Sequence, residues 1–336
     1  MISKVFKKII YKLITKLIII NLIFYKKFSS KNNIYFRHIS FGDSFTNYIE
    51  NYDVIKKKKL KVLVLSKLEK KIADFIFHGN QISKIFFLIP SFIPVYTIRS
   101  LLNKSEYFIP TKIYDPDLET IKARNKHKNL LVKLLKKNIQ FVSDELIKFK
   151  KQKYFLISIK HFNNDKEQID PSYVRQTCNL NKIYEVINFL LKKKITIIMM
   201  GDKFDISFKI FKKTFNKKIL FFNDLSKSQS MVDQVFIHYY SSLWIGNASG
   251  SSIISLYLKK KCILIDTVKW KICKFSMFHS KNILEIFKKI VYNNKCEYLS
   301  DVHINKVLKK KLCLNNKYKI IENSAELIIS KLRRFV

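Results

Sequence analysis

Short runs of apolar residues alternate along this chain with longer segments in which apolar positions recur at helical spacing. Segments with helical spacing include residues 181–191 and 251–258. This alternation predicts parallel β-sheets that are covered by helices on both faces. The apolar runs that predict strands are 34–36, 60–65, 85–89, 154–159, 195–200, 219–222, 243–245 and 262–265.

A polar, lysine-rich stretch near residues 146–153 divides the pattern into two parts. The length of 336 residues allows one large domain or two of ordinary size. We therefore predict an α/β protein with two domains, at 30–148 and 149–336, and a cleft between them.

Three lysine runs directly precede predicted strands, at 56–59, 192–194 and 259–261. The second and third runs also end a predicted helix, where cations complement the helix dipole. In a parallel α/β sheet these positions lie at the amino ends of the strands, whereas ligands bind beyond the carboxyl ends. The three lysine runs are therefore predicted to be exposed to solvent and to lie away from the functional site.

The first 29 residues predict a separate basic amphipathic helix. Within residues 1–25, lysines 4, 8, 12 and 16 share one helical face, opposite an apolar face. Such a helix fits an anionic membrane surface; the alternative is a helix packed on the domain with its lysines in water. The apolar stretch after Lys16 is too short to span a bilayer, and no signal cleavage site follows it. The expected location is cytoplasmic, peripheral on the inner face of the cell membrane.

The composition is strongly basic, with a net charge of +40. This charge predicts a polyanionic partner, or else reflects a genome whose codons are rich in A and T, because Lys, Ile, Asn, Phe and Tyr dominate. Arginine is scarce, and arginine is the preferred residue for bidentate phosphate contacts, so no specific nucleic acid is expected as a partner. The five cysteines form no CxxC pair and are typical of reduced thiols.

Three informative loops follow predicted strands and should meet at one sheet edge. They are KHFNND at 160–165, Gly201 with Asp202, and GNASGSS at 246–252. Glycines let the backbone approach an anion, and a helix amino end offers N–H groups and partial positive charge. GNASGSS therefore suits a phosphate or diphosphate. The alternative is a tight turn with a serine N-cap that binds no ligand, because the same residues favour such a turn.

Two blocks of the second half resemble a family of bacterial glycosyltransferases. Residues 172–202 are similar to the family's Arg-Asn motif, tyrosine-bearing helix, strand and Arg-Met-Gly motif. Residues 230–266 resemble its Asp-containing helix, Phe–Ile–Gly strand, Ser–Ser–Gly loop and following strand. The first half matches only loosely, through 37–43 and 61–67.

This resemblance implies a GT-B-like fold, akin to fucosyltransferase-type enzymes, in which two Rossmann-like domains with parallel sheets face each other across a cleft. Residues 30–148 would then bind the acceptor and 149–336 the nucleotide sugar. The acceptor would be a cell-surface glycan or a lipid-linked molecule. No cofactor is expected besides the donor itself, which is a substrate. The donor-binding residues are predicted to be Lys160, His161, Arg175, Gly201, Asp202, Asp233, Asn247, Ser249, Gly250 and Ser251.

The chain departs from the family pattern at three positions. Gln176 stands where the family has Asn, Met199 where it has Arg, and Lys160 where an Arg is expected. The alternative to an enzyme is a non-catalytic binding protein, either a degenerate transferase or a basic nucleic-acid binder, and the missing arginines favour degeneration. The retained Arg175 and the Ser-Gly pair favour an active glycosyltransferase, so both alternatives stay open here.

An active enzyme would need a cation for the leaving diphosphate and a base for the acceptor hydroxyl. Lys160 is the predicted cation. Asp43 and His38 are the predicted catalytic bases, with Asp165 and Asp202 as alternatives. No Asp-x-Asp motif or close His and carboxylate spacing occurs, so the expected reaction is independent of metal.

Overall fold

The computed structural model describes residues 13, 33–34, 41–57, 59, 61–63, 67–77, 82–83, 119–159, 178–201, 206–226, 228–247, 250–268, 282–292, 295–300, 302–303 and 318–336. Contacts divide the chain into two compact units, Met1–Asp115 and Pro116–Val336. Apart from Leu13, the predicted amino-terminal helix lies outside the described residues, as does the predicted strand at 85–89. No helix in the described ranges combines the length and apolar character that crossing a membrane requires.

The first unit contains a three-stranded parallel sheet in the order β1-β2-β3. Aromatic side chains join its helices, because the Phe77 ring packs edge-on against Tyr48 and stacks on Tyr52 at centroid distances of 5.6 and 5.7 Å. The strands are β1 Asn33–Ile34, β2 Lys61–Leu63 and β3 Ile82–Ser83, and the helices are α1 Phe41–Glu50, α2 Tyr52–Lys57 and α3 Lys67–Ile76.

The second unit is built on a six-stranded sheet in the order β6-β5-β4-β7-β8-β9, and every neighbouring pair in it is parallel. The α/β class predicted from the sequence is therefore confirmed. The strands are β4 Tyr154–Ser158, β5 Thr196–Met200, β6 Leu220–Phe221, β7 Leu243–Gly246, β8 Cys262–Thr267 and β9 Ile283–Phe287. The helices are α4 Glu119–Lys137, α5 Asp144–Ile147, α6 Leu180–Lys192, α7 Ile206–Thr214, α8 Phe222–Leu225, α9 Met231–Tyr240, α10 Gly250–Tyr257 and α11 Ala325–Leu332.

The strands of this sheet are apolar along their whole length because helices cover both faces. Alternate residues such as Phe155 and Ile157 pack in one core cluster with Ile183, Val186 and Leu190 of α6. α9, α10 and α4 contact one another in a separate helical layer. All five residues of β4 are buried, which identifies it as a central strand.

A small antiparallel sheet follows β9 and has no counterpart in the sequence prediction. Its order is β11-β10-β12, with β10 Lys289–Tyr292 paired to both β11 Lys295–Tyr298 and β12 Tyr318–Ile321. All of β11 is exposed, so no apolar alternation marks it in the sequence.

The contact boundary at Asp115 and Pro116 differs from the sequence-based boundary at 148 and 149. The lysine-rich stretch that resembles a linker is a 3-10 helix at Lys148–Lys151, and its Phe149 is buried. The segment that precedes it also packs on this unit, because α4 contacts α9 and α10. Residues 119–151 are therefore part of the second unit.

The lysine runs lie where the sequence places them, after helices and before strands. Lys59, Lys194 and Lys259 have φ values of 50°, 55° and 56°. This left-handed conformation reverses the chain after a helix and is usually adopted by glycine, which occurs only five times in this sequence. The runs thus belong to tight turns at the amino edge of each sheet.

Because His238 is buried, we expect the protein to lose stability in mild acid. His238 on α9 is fully buried, with its Nδ1 2.6 Å from the Ser255 hydroxyl and no hydrogen-bond partner at its Nε2 among the described residues. Burial, and then the charge of Lys260, lowers the His238 pKa from 6.5 to about 3.

Because the folded pKa lies below the unfolded one, the unfolded chain takes up the proton first. The stabilisation is present above pH 6.5 and is lost as the pH falls towards 3, by about 1.4 kcal/mol per unit, or about 2 kcal/mol at pH 5. Urea unfolding at pH 7 and pH 5 should show this loss in the wild type and a smaller one in His238→Gln. Equal losses in both proteins would contradict the assignment.

Candidate functional site

The strand order of the second unit creates a switch point between β4 and β7. From β4 the chain moves outward to β5 and β6, and it then returns to place β7 on the other side of β4. In open parallel sheets, ligands bind outside the carboxyl ends of the strands at such a reversal. The carboxyl ends that flank it are Ser158 and Gly246, which are direct partners in the β4–β7 register.

Gly246 lets the two strand ends approach each other closely. A Cβ at this position would lie 2.0 Å from the Ser158 carbonyl oxygen and 2.9 Å from the Trp244 ring. The same carbonyl accepts a hydrogen bond from the Asn247 backbone N–H at 3.3 Å. The first glycine of GNASGSS therefore has a packing role, which the sequence pattern does not distinguish from a ligand-binding one.

Gly250 begins α10, directly above the switch point. Ser251 in its first turn lies with its hydroxyl 2.6 Å from the Ser158 hydroxyl, so the helix start is joined to the end of β4. The first turn of an α-helix presents backbone N–H groups and partial positive charge. The predicted position of Gly250 at the opening of a helix is confirmed.

Asn247 follows β7 and lies between the switch point and the start of α6. Its side chain is buried and lies near Cys178, just before α6. Burial, together with the negative charge of Asp266, raises the Cys178 pKa to about 12, although the positive charge of Lys182 acts in the opposite direction. Cys178 is therefore a neutral thiol at physiological pH, and a nucleophilic role is unfavourable.

A cluster of four charged side chains lies beside Cys178. We call Lys182, Asp266, Lys288 and Glu322 the ion cluster. The Lys182 ammonium pairs with the Asp266 carboxylate and lies 2.9 Å from a Glu322 oxygen, while Lys288 lies 3.6 Å from the other Glu322 oxygen. The cluster joins the start of α6, the end of β8 and the chain segment before α11.

The geometry around Asp266 is unusual for a strand end. Its φ is 52°, in the left-handed region, and the register between β8 and β9 shifts between Ile265 and Thr267. The Asn323 backbone N–H and side-chain amide both donate to one Asp266 oxygen, at 3.0 and 2.8 Å. The strained conformation is thus held by hydrogen bonds and by the Lys182 charge.

In the ion cluster, burial and ion pairing shift the pKa values in opposite directions. Burial lowers the pKa of Lys182, but the Asp266 and Glu322 carboxylates outweigh it, so that the pKa is raised overall. For Lys288, burial dominates over Glu322 and Asp266, and the pKa is lowered. Burial raises the pKa of Glu322, but the two lysines outweigh this effect and the net shift is downward. Both Lys182 and Glu322 are therefore held in their charged forms.

The ion cluster was not predicted from the sequence, although one signal for it is present. Lys182 lies in the first turn of α6, where a positive charge opposes the helix dipole. A lysine at that position is stabilised by a nearby carboxylate, but nothing in the sequence indicates that Asp266 and Glu322 provide one.

Seven predicted site residues lie outside the described residues. They are His38, Lys160, His161, Asp165, Arg175, Asp202 and Ser249. Asp43 lies in α1 of the first unit. Gly201 follows β5 and is exposed, and its carbonyl accepts a hydrogen bond from the Asn223 side chain at 3.1 Å. The structure thus brings Asn247, Gly250 and Ser251 together at the switch point, next to Ser158, which sequence reasoning did not select.

Asp233 is fully buried at the start of α9. Its carboxylate accepts hydrogen bonds from the Ser143 N–H at 2.8 Å, the Ser143 hydroxyl at 2.7 Å and the Ser226 hydroxyl at 2.5 Å. These contacts fix the segment before β4 to α9 and give Asp233 a structural task. A contact between Asp233 and the donor stays a prediction.

Within the described ranges, no group of three or more His, Cys, Asp or Glu side chains is arranged to hold a metal ion. A cavity of about 200 Å³ lies at the opposite edge of the sheet, lined by Lys194, Lys217, Lys218 and the amino ends of β5 and β6. Because it opens at the amino ends of the strands, it is separate from the switch point.

No protein-family model matches this chain, and no curated protein matches it. Among solved structures, the E. coli heptosyltransferase WaaC with ADP-2-deoxy-2-fluoro heptose is 9% identical, with 83% of this chain and 99% of that one covered and a TM-score of 0.41. The glycosyl transferase family 9 protein of Veillonella parvula is 10% identical, with 87% and 78% covered and a TM-score of 0.35. The UDP-GlcNAc 2-epimerase of Methanocaldococcus jannaschii, in complex with UDP-GlcNAc and UDP, is 14% identical, with 88% and 82% covered and a TM-score of 0.33. At values this low, the likeness carries no argument about the function of this chain.

Proposed function

We propose that this protein is a metal-independent glycosyltransferase whose nucleotide-sugar donor places its diphosphate at the start of α10. The observation that supports this proposal is the switch point itself, where the Ser158 and Ser251 hydroxyls meet at 2.6 Å beneath a helix amino end. A diphosphate at this position would receive hydrogen bonds from backbone N–H groups and serine hydroxyls. The two-domain GT-B arrangement is part of the same proposal.

The chemistry requires stabilisation of the leaving nucleoside diphosphate as its negative charge develops. Helix N–H groups provide such stabilisation without a metal because they are already oriented before the reaction. Lys160 and Arg175 are the proposed cations, and His161, Gly201, Asp202 and Ser249 complete the proposed donor contacts. Asp43 or His38 is the proposed base for the acceptor hydroxyl.

The proposed sugar is a hexose or fucose, and the proposed acceptor is a cell-surface glycan or a lipid-linked precursor. Such acceptors lie at a membrane, which agrees with the basic amphipathic pattern of residues 1–25. We accordingly propose that the protein works on the cytoplasmic face of the cell membrane.

The first test is thermal unfolding with ADP, GDP and UDP, each compared with its nucleoside. One diphosphate should raise the melting temperature, while its nucleoside should not, because the phosphates supply the proposed contacts. A ligand at about 100 times its Kd adds about 2.7 kcal/mol of stability. Salt-sensitive binding of any DNA without a nucleotide effect would replace the proposal with a polyanion-binding function.

Substitutions at the start of α10 test the location of the diphosphate. Gly250→Val should abolish binding by placing a branched side chain where the phosphates lie, and Ser251→Ala should weaken it by about 1.5–3 kcal/mol if a charge-assisted hydrogen bond is lost. Lys194→Ala is the matched control, since it removes a cation at the opposite sheet edge. If the folded Gly250→Val and Ser251→Ala proteins keep the nucleotide affinity of the wild type, the diphosphate does not bind at the start of α10.

A further inference from the structure

We propose that residues 136–153 form a docking platform for an anionic lipid surface. We call this segment the lipid platform. It comprises the end of α4, the 3-10 helix Ile139–Phe141, α5 and the 3-10 helix Lys148–Lys151. The proposal is independent of the nucleotide site and of the amino-terminal segment.

The lipid platform exposes a concentration of apolar side chains. Phe141 is 67% exposed, Ile147 47% and Ile139 40%. They are three of the eight large apolar side chains that are exposed in the described part of the chain, and they lie within nine residues of one another. Scattered exposed apolar residues are common on protein surfaces, whereas neighbouring ones mark surfaces that contact a partner or a membrane.

The exposed side chains stand on a segment that is firmly attached to the core. Between them, Val142, Leu146 and Phe149 are buried, and the Phe149 ring packs edge-on against Tyr154 at 5.6 Å. The buried Asp233 carboxylate accepts from both the backbone N–H and the hydroxyl of Ser143. Because this anchoring fixes the backbone, Ile139, Phe141 and Ile147 are directed outward by the fold itself.

Basic side chains accompany the apolar ones. Six exposed lysines, at positions 136, 137, 148, 150, 151 and 153, lie in the same segment as only two acidic residues, Asp144 and Glu145. Glu145 lies 3.4 Å from Lys148, which neutralises part of the acidic charge. The remaining excess of positive charge complements a surface of anionic headgroups.

The combination of apolar and basic side chains suits an anionic lipid surface. Lysines have long flexible stems, which let their charged groups stay in water while apolar neighbours enter a membrane. The lipid platform contains six lysines. Its phenylalanine and isoleucines would enter the boundary between headgroups and acyl chains, while the lysines would stay among the headgroups.

The test is sedimentation of the full-length protein with vesicles of phosphatidylcholine alone or mixed equally with phosphatidylglycerol. The wild type should bind the mixed vesicles, and the double variant Ile139→Gln with Phe141→Gln should bind them about tenfold more weakly. Leu327→Gln is the matched control, because Leu327 is 38% exposed on α11, and it should bind like the wild type. All three proteins are also compared after lysines 4, 8, 12 and 16 are replaced by glutamine, which removes the basic face of the amino-terminal segment.

A second readout locates the contact. Phe141→Trp should be quenched by brominated lipid in mixed vesicles, and Leu327→Trp should not. Equal vesicle binding by the double variant and the wild type, in both backgrounds, would overturn the proposal. Equal binding to neutral and anionic vesicles would also overturn it, and so would binding to polyglutamate without binding to vesicles, which would indicate an acidic protein partner.

Discussion

Lys182→Met is expected to destabilise the protein by about 3–5 kcal/mol, because it leaves the buried Asp266 carboxylate without its counter-charge. Lys182 pairs with both Asp266 and Glu322, and the side chain of Asp266 is completely buried. The two Asn323 hydrogen bonds to Asp266 would remain, but they supply no positive charge. Urea unfolding of the variant and the wild type at neutral pH measures the difference.

Lys212→Met is the matched control. Lys212 lies 2.6 Å from Asp224, but these two side chains are 45% and 53% exposed, so water screens their interaction. Exposed pairs of this kind contribute about 0–1 kcal/mol. Similar small losses for both lysine variants would show that the ion cluster does not stabilise the fold.

Gly246→Ala is expected to be destabilising beyond what an added methyl group usually costs. The new Cβ would lie 2.0 Å from the Ser158 backbone carbonyl oxygen, and a backbone atom in a central strand moves little. Overpacking costs about 1–3 kcal/mol and occasionally more, and the upper end applies here because no flexible side chain is available to yield. The same shift would separate β4 from β7 at the switch point, so binding of the proposed nucleotide should weaken as well.

Gly201→Ala provides the comparison for this change. Its Cβ would meet the ring of Phe208 at 2.9 Å, which is a side-chain contact, whereas the contact at Gly246 is with a backbone oxygen. The loss in melting temperature should therefore be clearly smaller for Gly201→Ala than for Gly246→Ala. Equal losses at the two positions would mean that the strands at the switch point tolerate separation.

The proposal combines a resemblance expected from the sequence of the second half with the geometry of the switch point, and these two observations are independent of each other. The resemblance depends on local motifs such as Ser249 with Gly250. The geometry depends on strand order, which places β4 beside β7 although the paired residues Ser158 and Gly246 are 88 positions apart in the chain.

The sequence by itself determined the α/β class and the position of most strands in the second unit. Runs such as 154–159 and 195–200 are apolar throughout because parallel strands are buried on both faces, and this property is visible in one dimension. The start of α10 was visible for a similar reason, since small polar residues before an apolar helix carry their own local signal.

Only the tertiary structure decided the roles of individual residues at the edge of the sheet. A glycine is needed at position 246 because the Ser158 carbonyl leaves no space for a side chain. Lys182 is paired with Asp266 and Glu322, which are distant from it along the chain. The exposed β11 and the attachment of residues 119–151 to the second unit were likewise set by pairing and packing. These contacts join positions far apart in the chain, and apolar periodicity records which face of an element is buried but not which partner buries it.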